Sequence, residues 1–165
     1  MGNMFALQGG LIVNLTIDEY FNLFLKDSGR SAKDTSFAGE ITFGLDEEEC
    51  NWFIQRVLSG EKKANTCSLE SMELDLEPIP KKGEFSVLTD YYGKPVAVLE
   101  TLDVQIIGFN NISWEMAQKA GNANSMEEWR EAEIQYLEED GELMGYEFSS
   151  SMPIVFEEFK VVYSK

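Results

Sequence analysis

Two pairs of adjacent lysines, Lys62-Lys63 and Lys81-Lys82, stand out in a chain with 13 basic residues against 30 acidic ones. The first pair lies in Leu58-Ser59-Gly60-Glu61-Lys62-Lys63-Ala64-Asn65-Thr66-Cys67-Ser68-Leu69, where an amphipathic segment breaks at a glycine. Lysines there have two readings. They are solvated cations that the negative end of a helix dipole favours, or they form a cationic floor for a phosphate, carbonyl or nucleobase. Lysine becomes a base only when burial or other cations lower its pKa. In a chain of net charge -17, Lys62 reads as a charged clamp. If the segment is extended, Lys62, Ala64, Thr66 and Ser68 share one face, and Lys63, Asn65 and Cys67 share the other. Thr66 and Cys67 are then nucleophile candidates, set against plainer roles as a strand residue and a small core residue. Glu133 follows Trp129 by four positions and precedes Tyr136 by three, which puts it on one helical face with those aromatics. Such a glutamate either reaches solvent or turns inward toward Arg130 or Lys62, where it could carry chemistry.

The composition narrows the chemistry. The chain has no histidine, which excludes Ser-His-Asp and Cys-His nucleophiles and removes the commonest metal ligand. The acidic run Asp46 to Glu49 is explained by helix capping, and Glu138-Glu139-Asp140 by a solvated helix end, so neither is read as a metal site. No cofactor is expected. Cys50 and Cys67 are too few for a disulfide framework, and a reduced, cytoplasmic protein is the simpler expectation. No apolar run approaches the length of a membrane span. The acidic surface disfavours a bare phosphate backbone, so duplex DNA is not an expected partner, whereas a single nucleoside or a local RNA contact at the lysine pairs is.

The elements that must position these residues alternate in type. Thr16-Ile17-Asp18-Glu19 has capping-box spacing, and Ile17, Tyr20, Phe21, Phe24 and Leu25 recur at helical intervals. Phe37 to Phe43 alternates as a strand. Asp46 caps a second helix whose buried face is Cys50, Phe53, Ile54, Val57 and Leu58, with Gly60 as its left-handed cap. An acidic stretch, Glu70 to Glu77, leads into the Pro78-to-Gly83 loop. Strands are expected over 84–89 and 95–107, the latter with a bulge near Glu100-Thr101. Ser113 caps a helix ending at Gly121. Ser125 and Glu128 cap another, with Trp129, Ala132, Tyr136 and Leu137 buried and an end at Asp140-Gly141. Pro153 opens the last strand. The mixture is α+β, with residues 1–15 expected as a disordered leader and 16–165 as one domain with an N-terminal helix.

In this order the pieces resemble an ASCH domain, the activating-signal-cointegrator homology group of the PUA-like superfamily, from about Phe37 to Tyr163. The resemblance rests on Leu58-Ser59-Gly60-Glu61-Lys62-Lys63-Ala64-Asn65-Thr66, Pro80-Lys81-Lys82-Gly83-Glu84, Val87-Leu88-Thr89-Asp90, Gly93-Lys94-Pro95, Val104 to Phe109, Trp129-Arg130 and Phe159-Lys160-Val161-Val162-Tyr163. It implies a small, bent β-barrel with helices packed around it, and a cleft lined by the Gly-x-Lys segment and the later helices. The superfamily is associated with RNA and modified nucleosides, and some members hydrolyse acetylcytidine. There the Gly-x-Lys lysine works with a threonine three positions on and a later glutamate. The lysine is Lys62 here and the threonine position is Asn65, with Thr66 one residue out of register. The resemblance thus implies Lys62, Thr66 and Glu133 as catalytic candidates and Lys62, Lys63, Asn65, Trp129 and Arg130 as ligand contacts. Three functions follow as expectations. The first is a module binding a nucleoside, nucleotide or RNA element, the second an amidohydrolase or RNA hydrolase, and the third an acidic protein-interaction module.

Overall fold

The computed structural model describes the backbone of residues 4–7 and 10–165 and the side chains of residues 14–165. The leader expected over 1–15 lies in part outside the described residues. Within it, β1 (Met4–Leu7) and β2 (Gly10–Val13) pair antiparallel. There follow α1 (Ile17–Ser28), β3 (Phe37–Ile41), α2 (Glu47–Ser59), β4 (Ala64–Ser68) and α3 (Leu69–Leu74). The chain continues through β5 (Phe85–Thr89), β6 (Pro95–Gly108), α4 (Trp114–Ala117), α5 (Met126–Met144) and β7 (Pro153–Ser164). The α+β class is as expected: five α-helices among the described residues accompany a mixed five-stranded sheet ordered β3-β5-β6-β7-β4. β3 pairs parallel with β5, while β5–β6 and β4–β7 are antiparallel.

The region expected as one domain gathers into two compact units, and β6 and β7 contribute residues to both. One unit comprises the chain up to Leu58, Gly83–Glu100 and Val161–Lys165. Its core packs Tyr20, Phe21, Phe24 and Leu25 of α1 against Phe85, Val87 and Val98. Each large apolar side chain buried this way contributes roughly 1.5–3 kcal/mol. Thr16 and Glu19 make the reciprocal capping box, and Asp46 accepts from the Glu49 amide at 2.8 Å to start α2. The other unit comprises Ser59–Lys82 and Thr101–Lys160. Its core holds Phe109, Ile112, Trp129, Leu137 and Ile154, and it contains every candidate residue named above.

Several local expectations change; Leu58, expected on the buried face of α2, is 46% exposed. Helix α5 does not stop at Asp140-Gly141; it runs to Met144 and ends on Gly145 at φ 96°. Gly141 lies within the helix, and its lack of a side chain makes room for the Tyr146 carbonyl, which stands where a Cβ would be. The buried ridge of α5 is Trp129, Glu133, Leu137 and Gly141, a strict four-residue repeat, so Ala132 is exposed and Tyr136 is 41% exposed. Finally, α3 covers the start of the acidic stretch, to which the sequence assigns no element: Ser68 caps it by accepting from the Ser71 amide at 3.2 Å.

Candidate functional site

The site starts at a turn. After α2, Gly60 adopts φ 81°, a conformation that costs glycine least, and the chain passes through Glu61 into β4. Here Lys62 leaves the surface. Its side chain is only 6% exposed, so the reading as a solvated cation fails. The ammonium donates to the carbonyls of Ala64 at 2.9 Å and Ala120 at 3.1 Å. The second carbonyl arrives because Gly121 has φ 71° and no side chain. A Cβ there would stand 2.7 Å from both the Glu61 oxygen and the Lys62 Cα. The Lys63 amide seals the same junction by donating to the Lys119 carbonyl at 2.7 Å, and Lys119 pairs with Glu158 at 2.6 Å.

β4 then alternates as its sequence predicts. Ala64, Thr66 and Ser68 stand opposite Glu158, Phe156 and Ile154 of β7, with Ala64 and Ser68 buried and Thr66 half-buried. The Thr66 hydroxyl donates to Glu133 Oε1 at 2.6 Å. Glu133 reaches it from the inward ridge of α5 and is 7% exposed. The structure therefore brings Lys62, Thr66 and Glu133 together within one unit, although Thr66 and Glu133 are 67 residues apart.

Burial dominates the electrostatics. Desolvation pushes Lys62 down to about 8, opposed by the charge of Glu133. Desolvation pushes Glu133 up, opposed by the Thr66 hydrogen bond and by Lys62. Each charge thus moderates the other's displacement. Cys67 is driven the wrong way for a nucleophile: burial and the surrounding carboxylates raise its thiol to about 12.

The remaining candidates separate. Lys63 and Arg130 are exposed, and Asn65 is half-buried opposite Glu157 of β7. Trp129 is fully buried, and its ring stacks on Phe109 with centroids 5.6 Å apart and planes 16° apart. Its face therefore belongs to the core. The Ala120 carbonyl and the Lys119–Glu158 pair escaped the sequence reading, because neither backbone oxygens nor long-range pairs leave a motif. Gly121 was their one legible trace.

The family model of the ASCH domain matches residues 39–163. The chain belongs to the ASCH domain family. The solved ASCH domain of Lactobacillus crispatus JV V101 is 32% identical with a TM-score of 0.76, the alignment covering 86% of this chain and 93% of that one. A protein of Enterococcus faecalis V583, assigned to the family model DUF984, is 26% identical with a TM-score of 0.78, over 88% of this chain and 87% of that one. No curated protein matches the chain. In this ASCH domain the lysine, hydroxyl and carboxylate occupy the region of the family match, and no helix among the described residues is long and apolar enough to cross a membrane.

Proposed function

We propose that this ASCH domain is a hydrolase of acylated cytidine-type nucleosides, with Thr66 as nucleophile, Glu133 as general base and Lys62 as the cation facing the developing oxyanion. The observation that carries this reading is the 2.6 Å hydrogen bond from the Thr66 hydroxyl to a buried carboxylate, beside a buried ammonium. It is the pairing of nucleophile and base that acyl transfer requires. Glu133 accepts the Thr66 proton as Oγ1 attacks the amide carbonyl. Lys62 offsets the negative charge that forms on the carbonyl oxygen. The protonated Glu133 then gives its proton to the leaving amine as the C–N bond breaks. Water, deprotonated by Glu133, releases the carboxylic acid and restores the hydroxyl. The scheme uses only side chains and water. The nucleoside class comes from the family resemblance, and Lys63, Asn65 and Arg130 are the proposed outer contacts for it.

A second reading has its own support. The Lys62 ammonium is anchored on the carbonyls of Ala64 and Ala120, as suits a fixed binding cation, and Asn65 supplies no hydroxyl. On that reading the domain holds a nucleoside or RNA end without turnover.

One assay separates the two. The native chain is incubated with N4-acetylcytidine, and cytidine and acetate are followed by chromatography. Hydrolysis that is abolished in Thr66→Val and Glu133→Gln supports the enzyme. Calorimetric binding of the nucleoside without product supports the module. Full turnover by Thr66→Val sinks the proposed mechanism.

A further inference from the structure

Two buried polar atoms in the second unit lack any hydrogen-bond partner: the indole Nε1 of Trp129 and the amide oxygen Oδ1 of Asn122. Buried polar groups are nearly always paired, and each exception calls for an explanation. Their placement supplies one. Asn122 follows Gly121, whose Cα lies against the backbone of Lys62, and Ala120 just before it accepts from the Lys62 ammonium. Trp129 stands one helical turn before Glu133 on the same buried ridge. Both atoms thus belong to the segments that hold the ammonium and the carboxylate. One is an obligate donor and the other an acceptor.

Resting on the nucleoside reading above, we propose that Asn122 and Trp129 are the specificity-determining residues of the site. They read a ligand edge that presents one N–H and one acceptor atom side by side. The N–H of the ligand donates to Asn122 Oδ1, and Trp129 Nε1 donates to the ligand's acceptor. The exocyclic amine of a cytosine ring, next to its ring nitrogen, has this pattern. The indole contributes its edge only, because its face is stacked on Phe109. Neither atom is open to solvent, so a ligand reaches them only if the Gly121-to-Asn124 segment that carries the acceptor shifts. That segment lies between the left-handed Gly121 and the Ser125 cap of α5.

The test compares cytidine with N4,N4-dimethylcytidine, which lacks the exocyclic N–H. Binding to the native chain is measured by titration, and the Trp129 indole N–H resonance is followed by NMR and assigned with Trp129→Phe. Cytidine should bind about 10-fold tighter, as one neutral hydrogen bond allows. The indole proton should move downfield as it gains an acceptor, and Asn122→Ala should erase most of the preference. An indole resonance that stays fixed at saturation overturns the proposal. So does a preference that survives Asn122→Ala, or a native chain that does not bind cytidine. Lys62- and Thr66-dependent hydrolysis that persists alongside any of those results would leave the hydrolase standing and remove only this assignment.

Discussion

Replacing Lys62 with methionine should flatten part of the pH dependence of stability. Burial lowers the ammonium from an ordinary 10.5 to about 8. At about 1.4 kcal/mol per tenfold change in proton affinity, this is worth about 3 kcal/mol. The direction follows from proton counting. Between those two values the unfolded chain holds the proton and the folded chain does not, so native stability rises with pH through that window. Below the folded value the penalty is constant and fully present. The side chain is 6% exposed, so solvent offers little relief. Lys62→Met also leaves the Ala64 and Ala120 carbonyls without this donor, at about 1–3 kcal/mol, but that loss does not vary with pH. The signature is therefore a slope. Urea denaturation at intervals from pH 7 to 10.5 should show the native chain gaining about 3 kcal/mol on the variant. The tyrosines whose pKa values are raised are common to both chains and cancel. Parallel curves for the two proteins would refute the claim that Lys62 enters the interior as a cation.

The remaining predictions concern the site and its frame. The pH–rate profile of hydrolysis should be bell-shaped: the acid limb marks Glu133, raised by burial, and the alkaline limb lies at about 8, where Lys62 loses its proton. Lys62→Arg should remove the alkaline limb in whatever activity it retains, because a guanidinium stays charged. Thr66→Val should lower kcat by at least about 100-fold and push the Glu133 carboxyl further up, since its lowering hydrogen bond is gone; a carbon-13 NMR titration of the glutamates checks the second point. Gly121→Ala should destabilise the fold by roughly 1–3 kcal/mol in thermal unfolding, as its Cβ meets backbone at 2.7 Å and the residue is left-handed. Cys67 should resist iodoacetamide at pH 8, because its thiol is held at about 12.

What could be read from the sequence was local chemistry. The caps at Thr16, Asp46, Ser113 and Ser125 depend on residues three positions apart, and all four form. The β4 face shared by Ala64, Thr66 and Ser68 followed from strand parity alone. The exposure of Lys62 was decided by something no local pattern records, the approach of the Ala120 carbonyl over Gly121. Glu133 was ambiguous for the same reason: its spacing set the face but not the depth. Tyr136 was misplaced because aromatic character suggested burial, while a four-residue ridge left it partly outside. Helix α3 was hidden because three of its six residues are polar or acidic and it is too short to establish an apolar period.

The placement of the three indoles gives the molecule an optical signature of its own. Trp52 lies 41% exposed in the first unit, with the Arg56 guanidinium carbon 4.1 Å from its ring centre. Trp129 is sealed inside the second. Once Trp114, half-buried in the second unit, is replaced, emission at long wavelength and emission at short wavelength should report on different units. Single-tryptophan versions would reveal, without any added label, whether the halves melt together or one after the other.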